Sequence, residues 1–243
     1  AFDAAVSAVF TSMTSEFALT GVGGGGAMMV HTPGSEPILY DFFVDTPSIS
    51  SNQEIDFFKA KINFGNSTQN FHIGKGSIAV PGTLAGLVTV HKQHGNLPLS
   101  VVLEPGIELA RNGCKLNKEQ AYIFKILEPI FGYSREGRIL LYKNNQPLRE
   151  GELFLNRDFA NFLERVATEG MEFYYRGDGA KLIAESFKDD GLIDEDSLKR
   201  YQVIPRKPVS TSFEGVKVYS NPPPSAGGSL IIFLLRLLEK TGS

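Results

Sequence analysis

With 243 residues, of which 42% are hydrophobic, the chain carries enough apolar content to bury a substantial core as one large domain or two small ones. Its 24 basic and 27 acidic residues leave a formal net charge of −3 without long single-sign blocks, which argues against a nucleic-acid or anionic-membrane binder. The single cysteine, Cys114, excludes an internal disulfide and any multi-cysteine metal site, and a buried thiol is its default reading.

Apolar residues at Phe2, Ala5, Val6, Val9, Phe10 and Met13 have helical spacing and predict a helix over residues 1–13. The chain opens without an initiator Met or a signal-like start, and it closes just after an apolar run, so both ends read as cut from a longer polypeptide. The stretch around which the rest is organised runs over residues 20–47. Gly23 to Gly26 have no side-chain volume and let neighbouring layers approach closely. Apolar runs then predict antiparallel strands over 27–31 and 38–43, joined by the turn formers of His31-Thr-Pro-Gly-Ser-Glu-Pro37. Both runs are apolar at nearly every position, so both sheet faces are expected to be covered, with the first helix packed on the sheet. A phosphate-binding reading of the glycines fails on order: such loops need a strand before and a helix after, and here a helix precedes and a strand follows.

Residues 48–76 are polar and glycine-containing and predict a loop or flexible excursion with little core. Pro81-Gly82 then precedes a helix to about His94, with Thr83 read as its cap rather than as a nucleophile. His91 and His94 lie three apart on that helix, but no third ligand is apparent, so a solvated C-terminal turn is preferred to a metal site. Further on, Gly113 ends a helix covering 107–111, and Asn117 caps one bearing Tyr122, Ile123, Ile126 and Leu127. Asn156 caps 157–169, whose stripe of Phe159, Phe162, Leu163 and Val166 is a core face, and Gly170 stops it. Asp178 caps a helix through Phe187, Asp194 another through Tyr201, and residues 213–219 alternate as a strand.

Asn221-Pro-Pro-Pro-Ser-Ala-Gly-Gly228 fixes an extended segment and then frees the chain before an apolar run over 229–238. That run is far shorter than the ~20 residues a bilayer needs and reads as a buried helix. Ser225 has no nucleophile-elbow context because Pro223 stands where a Gly is required, so a cap or turn role is assigned to it.

Read together, these stretches resemble the gamma-glutamyltranspeptidase family, in the large-subunit part of its precursor. Ala1-Phe-Asp-Ala-Ala-Val6 looks like the family's D-A-A-V helix, Gly21-Val-Gly-Gly-Gly-Gly26 like its S-G-x-G-G-G-G, and Val80-Pro-Gly-Thr-Leu-Ala-Gly-Leu87 like its V-P-G-T-V-A-G-L. Phe173-Tyr-Tyr-Arg-Gly177, Gly191-Leu-Ile-Asp-Glu-Asp-Ser-Leu-Lys-Arg-Tyr201 and Tyr219-Ser-Asn-Pro-Pro-Pro-Ser-Ala-Gly-Gly228 follow in the family's order. The resemblance implies an α+β, four-layer α/β/β/α N-terminal nucleophile hydrolase fold. Residues 1–243 would be a single domain, an incomplete large-subunit region. It also implies autocatalytic processing and a Thr at the start of a small subunit outside this chain, whose α-amino group, unperturbed pKa ~8, serves as base. No catalytic residue, cofactor or metal is expected in this chain, and the implied partners are an amide substrate and that small subunit. The compartment is left open.

The family's D-F-R-E-x-A-P carries an Arg that clamps the α-carboxylate of a glutamyl donor, and here the span reads Asp41-Phe-Phe-Val-Asp-Thr-Pro47. Phe43 stands in place of the Arg, and with Val44 and Asp45 it forms the implied substrate-binding residues. A phenyl ring offers a carboxylate no donors, and losing such a pair typically costs ~2–5 kcal/mol. Arg111 and Arg176 are the other cations considered for the role. The leading function is cleavage or transfer of a γ-glutamyl group of glutathione-type amides. The alternatives are a cephalosporin-type acylase taking an apolar acyl group and, from another class, a non-catalytic binding or scaffold relative.

Overall fold

The computed structural model describes residues 1–48 and 54–241. Helix α1 (Phe2–Ser15) buries Val6, Phe10 and Met13 at the spacing read from the sequence. Strands β1 (Gly26–Val30) and β2 (Ile38–Phe42) pair antiparallel, with Gly26 opposite Phe42 and Val30 opposite Ile38. A second hairpin, β3 (Phe58–Asn63) and β4 (Thr68–Ile73), precedes α2 (Thr83–His94) and α3 (Leu99–Asn112). A small lobe follows with β5 (Cys114–Lys115), α4 (Lys118–Phe131), α5 (Arg135–Leu141), β6 (Tyr142–Lys143), β7 (Gln146–Pro147) and β8 (Leu153–Phe154). Helices α6 (Arg157–Glu169), α7 (Glu172–Tyr175), α8 (Asp178–Phe187) and α9 (Glu195–Arg200) lead to β9 (Ile204–Arg206), which pairs with β2. The chain closes with the hairpin β10 (Val209–Phe213) and β11 (Val216–Ser220) and with α10 (Ala226–Thr241).

The main core joins the sheet β1-β2-β9 to the helices: Val30, Tyr40 and Phe42 meet Leu84, Leu87 and Val88 of α2, with Phe10, Leu103 and Leu163 farther out. A satellite core of Leu116, Phe124, Leu141, Leu148 and Phe154 holds the small lobe. Several caps form as the sequence predicts. Asn117 makes a reciprocal capping box with Gln120, Asn156 accepts from the Phe159 N–H, and Asp194 accepts from the Ser197 N–H.

Other expectations are corrected. The sheet is only partly covered on its second face: α2 seats on one side, while on the other Leu39 of β2 is buried but Ala27 and Met29 of β1 are exposed, Met29 at 37%. Helix α1 is not the helix on the sheet either; it packs against α2 and α3, one layer out. The predicted excursion over 48–76 contains the β3-β4 hairpin, whose Ala60, Ile62 and Ile73 are buried, because alternation in Phe58-Lys-Ala-Lys-Ile62 gives one apolar face and Gly65 turns the chain at φ +91°; its residues 49–53 lie outside those described.

Thr83 is the first helical residue of α2 rather than its cap, and the preceding Gly82 occupies the cap position. Likewise Gly177 precedes α8, and Asp178 turns instead to an ion pair with Arg165. The strand read over 213–219 is a hairpin, because Glu214 and Gly215 both take positive φ and reverse the chain there. Gly227 and Gly228 lie inside α10 rather than before it, while Ser225 donates its N–H to the Pro222 carbonyl in a turn. Helix α10 is not buried: Leu230, Phe233 and Leu234 are more than half exposed, since it rests only one side on β10 and β11. Among the described residues no helix is long and apolar enough to cross a membrane.

Gly86 of α2 faces β2 so closely that a side chain there would overlap the Phe42 ring. Gly86→Ala should therefore lower stability by about 1–3 kcal/mol, the usual cost of overpacking, read as a lower urea midpoint at unchanged slope. A variant as stable as the parent would show that α2 does not seat on β2 at this depth.

Candidate functional site

Strand β2 ends at Phe42, and the next six residues, 43–48, leave the sheet as a strap whose main chain is held along its length. The Phe43 N–H donates to Asp41 Oδ1 at 3.0 Å, and the Phe43 carbonyl accepts from the Tyr201 hydroxyl at 2.8 Å. Asp45 and Val80 exchange both backbone bonds, at 3.1 and 2.8 Å. At the far end the Ser48 N–H donates to Ser197 Oγ at 3.3 Å, and Arg200 donates to the Ser48 hydroxyl.

The glycine run supplies the other side of this layering. The Gly24 carbonyl accepts from the N–H groups of Gly82, at 2.9 Å, and Thr83, at 3.1 Å. A Cβ on Gly25 would stand 2.5 Å from the Val44 nitrogen and 2.7 Å from the Phe42 carbonyl oxygen, and one on Gly82 would overlap the Phe42 carbonyl and the Tyr201 hydroxyl. Close packing of backbone is thus what these glycines do.

Tyr201 is 7% exposed and stacks on Tyr175 with ring centroids 5.6 Å apart; Tyr175 in turn donates its hydroxyl to the Pro81 carbonyl at 2.8 Å. Burial is the main force pushing both phenols well above their ordinary range, so each remains a protonated donor near neutral pH. Asp41 is shared: its second oxygen accepts from Arg206 Nε at 2.7 Å, across the β2-β9 pairing.

Of the site residues read from the sequence, Phe43 is 69% exposed, Val44 is half-buried against the glycine run, and Asp45 is exposed with its carboxylate on the Thr46 N–H. The two cations considered for a carboxylate clamp are committed to acids, Arg111 to Glu164 and Arg176 to Glu172, each at 2.8 Å. Two cations are tied to the strap: Arg206, through the same Asp41 that holds Phe43, and Arg200, at Ser48.

His91 and His94 are not a solvated turn: His91 Nε2 lies 2.9 Å from the Leu97 carbonyl and 3.6 Å from Asp3, and His94 Nε2 lies 2.8 Å from the buried Tyr40 hydroxyl. Cys114 is half-buried against the Thr14 carbonyl, and burial, with the Glu16 charge, raises its pKa. Among the described residues no group of three His, Cys, Asp or Glu side chains could hold a metal ion. A cleft of about 540 Å³ beside α8 and α9 reaches the strap only at Ser48, and a cavity of about 250 Å³ lies under Tyr175, Arg176 and Tyr201. Neither includes Phe43, whose ring is exposed.

The gamma-glutamyltranspeptidase family model matches residues 1–243, and the chain belongs to that family. It is similar to the glutathione hydrolase proenzyme of Escherichia coli (strain K12), 30% identical over 243 residues that cover 98% of this chain and 41% of the relative. It is similar too to the acylase ACY 1 proenzyme of Pseudomonas sp. (strain V22), 29% identical over 98% of this chain and 43% of that protein. Among solved structures, gamma-glutamyltranspeptidase of Helicobacter pylori superposes with a TM-score of 0.86 at 30% identity, covering 99% of this chain and 68% of that one. The chain thus spans about two fifths of the length of these curated relatives, and its mixed helix and sheet is that of gamma-glutamyltranspeptidase structures.

Asp41, Tyr175, Tyr201 and Arg206 were not singled out by sequence pattern. Asp41, Tyr175 and Tyr201 fall in stretches quoted for the family, but nothing in their spacing says that Tyr201 reaches back to residue 43.

Helix α9 carries two of the strap's holders, Ser197 and Arg200, with Tyr201 directly after it, and Asp194 caps it. Burial pushes the Asp194 carboxyl up, but the Ser197 hydroxyl and N–H and the Arg200 charge outweigh it and hold the pKa below its usual value. Its contribution to stability is therefore complete above the unfolded carboxylate value, about 4, and is lost as pH falls through the lowered folded value. Hydrogen exchange at residues 194–201 should quicken between pH 5 and 3, after correction for intrinsic rates, and Asp194→Asn, a cap that does not titrate, should flatten that change. An equal acid response in the variant would place the titrating group elsewhere.

Proposed function

We propose that residues 1–243 form a single domain, part of the large-subunit region of a gamma-glutamyltranspeptidase-type amidohydrolase with the four-layer α/β/β/α N-terminal nucleophile fold. The observation that carries this reading is the strap: a hydrogen-bonded main-chain platform presents Phe43 and Asp45 outward with Val44 half-buried between them, and among the described residues no nucleophile and base are gathered beside them. The reacting group then comes from a second polypeptide of the same precursor. Its N-terminal Thr hydroxyl attacks the amide carbonyl while the α-amino group takes the hydroxyl proton and returns it to the departing amine. Water or an acceptor amine next takes the acyl group from the Thr oxygen, which regains its proton. The default donor is a γ-glutamyl amide of the glutathione type.

Phe43 favours a second reading of the same chemistry. Its ring gives an α-carboxylate no hydrogen bond, and Arg206 is already engaged by Asp41. Leaving a carboxylate unpaired beside a phenyl ring costs several kcal/mol, on the order expected for an unpaired ion, so an apolar or aromatic acyl group suits this position better. A Pseudomonas relative of this chain is named an acylase, which supports acyl-transfer chemistry beyond a γ-glutamyl donor without specifying the acyl group.

Two measurements separate these readings and a non-catalytic role. Intact-mass analysis of the mature protein should show a second fragment beginning with Thr or Ser; an unprocessed single chain with full activity would defeat the two-polypeptide reading, and a protein inert on every amide would favour a scaffold. In assays with a γ-glutamyl anilide and an apolar acyl anilide, the parent should prefer the apolar substrate, and Phe43→Arg should raise γ-glutamyl kcat/KM by at least about tenfold. Strong parental γ-glutamyl activity, unchanged by the substitution, would remove residue 43 from the donor pocket.

A further inference from the structure

The contact that holds residue 43 comes from a distant part of the sequence. Tyr201 follows the last residue of α9, and its hydroxyl donates to the Phe43 carbonyl at 2.8 Å across a separation of 158 residues. The peptide unit on the other side of the Phe43 Cα is held as well, since the Phe43 N–H donates to Asp41 Oδ1 at 3.0 Å and Asp41 is itself fixed by Arg206 at 2.7 Å. With both polar groups of residue 43 engaged, its φ and ψ are set, and with them the direction in which its side chain leaves the strap. The Tyr201 ring cannot drift, because it stacks at 16° on Tyr175, whose own hydroxyl is tied to the Pro81 carbonyl. Gly82 leaves the only room for the hydroxyl, as any side chain there would overlap it.

We infer that Tyr201 is a positioning residue for substrate selection: through its bond to the Phe43 carbonyl it fixes the orientation of the residue-43 side chain toward the acyl donor, without touching the donor itself. This rests on the reading that residue 43 lines the donor pocket. The hydroxyl takes no part in proton transfer, since burial holds the phenol protonated and its one proton is directed to the strap. The effect of losing it must therefore pass through residue 43.

The test is a double-mutant cycle in the processed protein, Tyr201→Phe and Phe43→Ala singly and together, with KM and kcat for the apolar acyl anilide and the γ-glutamyl anilide. Hydrogen exchange of residues 42–48 is measured on the same samples and reads the strap without reference to activity. Tyr201→Phe keeps the ring stack and removes one hydrogen bond, so exchange of the strap should quicken about 5- to 10-fold. KM for the preferred anilide should rise by a similar factor at unchanged kcat, and only where Phe43 is present; in the Phe43→Ala background the hydroxyl should make no further difference. Unchanged exchange overturns the proposal. So does a KM change of equal size with and without the Phe43 ring, or a selectivity that shifts in Phe43→Ala but not in Tyr201→Phe. If Phe43→Ala leaves both anilides unaffected, the failure lies with the placement of residue 43 in the pocket, and the exchange result alone then upholds or overturns the hold by Tyr201.

Discussion

Three backbone segments lie on one another with almost no side chain between them: the glycine run at Gly24 and Gly25, the end of β2 from Phe42 to Val44, and the turn at Val80 to Gly82. Each approach is closer than a Cβ permits, with Gly25 against the Val44 nitrogen, Gly82 against the Phe42 carbonyl and Gly86 against the Phe42 ring. The groups so exposed to one another are polar, and they satisfy one another: Gly24 accepts from Gly82 and Thr83, and Asp45 and Val80 bond in both directions. Buried backbone must be paired, and here pairing and close approach are the same event. The seating of α2 on the sheet, the exit angle of the strap and the site of Tyr201 all depend on it.

A strap held in this way separates two jobs that a single loop often combines. The main chain supplies the geometry, and in the proposed reading the chemistry of selection is left to the side chains at residues 43–45, of which Phe43 and Asp45 are exposed. An exposed Phe43 can differ from an Arg at the same place without disturbing the platform, because the platform contacts its N–H and carbonyl rather than its ring. Charge follows the same division. Arg206 and Asp41 form a partly buried pair that stabilises the strap, and the guanidinium is drawn toward that acid rather than offered to a ligand.

Apolar surface is distributed unevenly. The face of the sheet toward α2 is closed, while Met29, the ring of Phe43 and much of α10 stand in the open. Helix α10 has an apolar character suited to burial and is covered on one side only, by β10 and β11.

Local signals were legible wherever the chemistry is local. The caps at Asn117, Asn156 and Asp194, the stop at Gly170, the helical stripe at the start of the chain and the β1-β2 hairpin follow from side chains bonding within three residues or from a turn between two apolar runs. The role of the glycines as a close-packing device, rather than a phosphate cradle, followed from the order of elements alone. The β3-β4 hairpin was hidden because its alternation is brief and set among polar residues; Thr83 is not a cap because Gly82 holds that position and the Thr83 N–H is bonded to the Gly24 carbonyl, and Asp178 is not one because Arg165 pairs with it. Burial was the least readable property: an apolar run states what a segment tolerates, whereas covering β1 or α10 requires another element to arrive. The strap shows the same limit at the site. Phe43 could be named from its sequence position, but its partners Tyr201, 158 residues away, and Arg206, 165 residues from Asp41, meet it only because β9 pairs with β2 and α9 ends beside the sheet. The sequence by itself determined the residues that could form the site, and the tertiary structure decided which of them hold it, since hydrogen bonds over such separations exist only once the chain has folded.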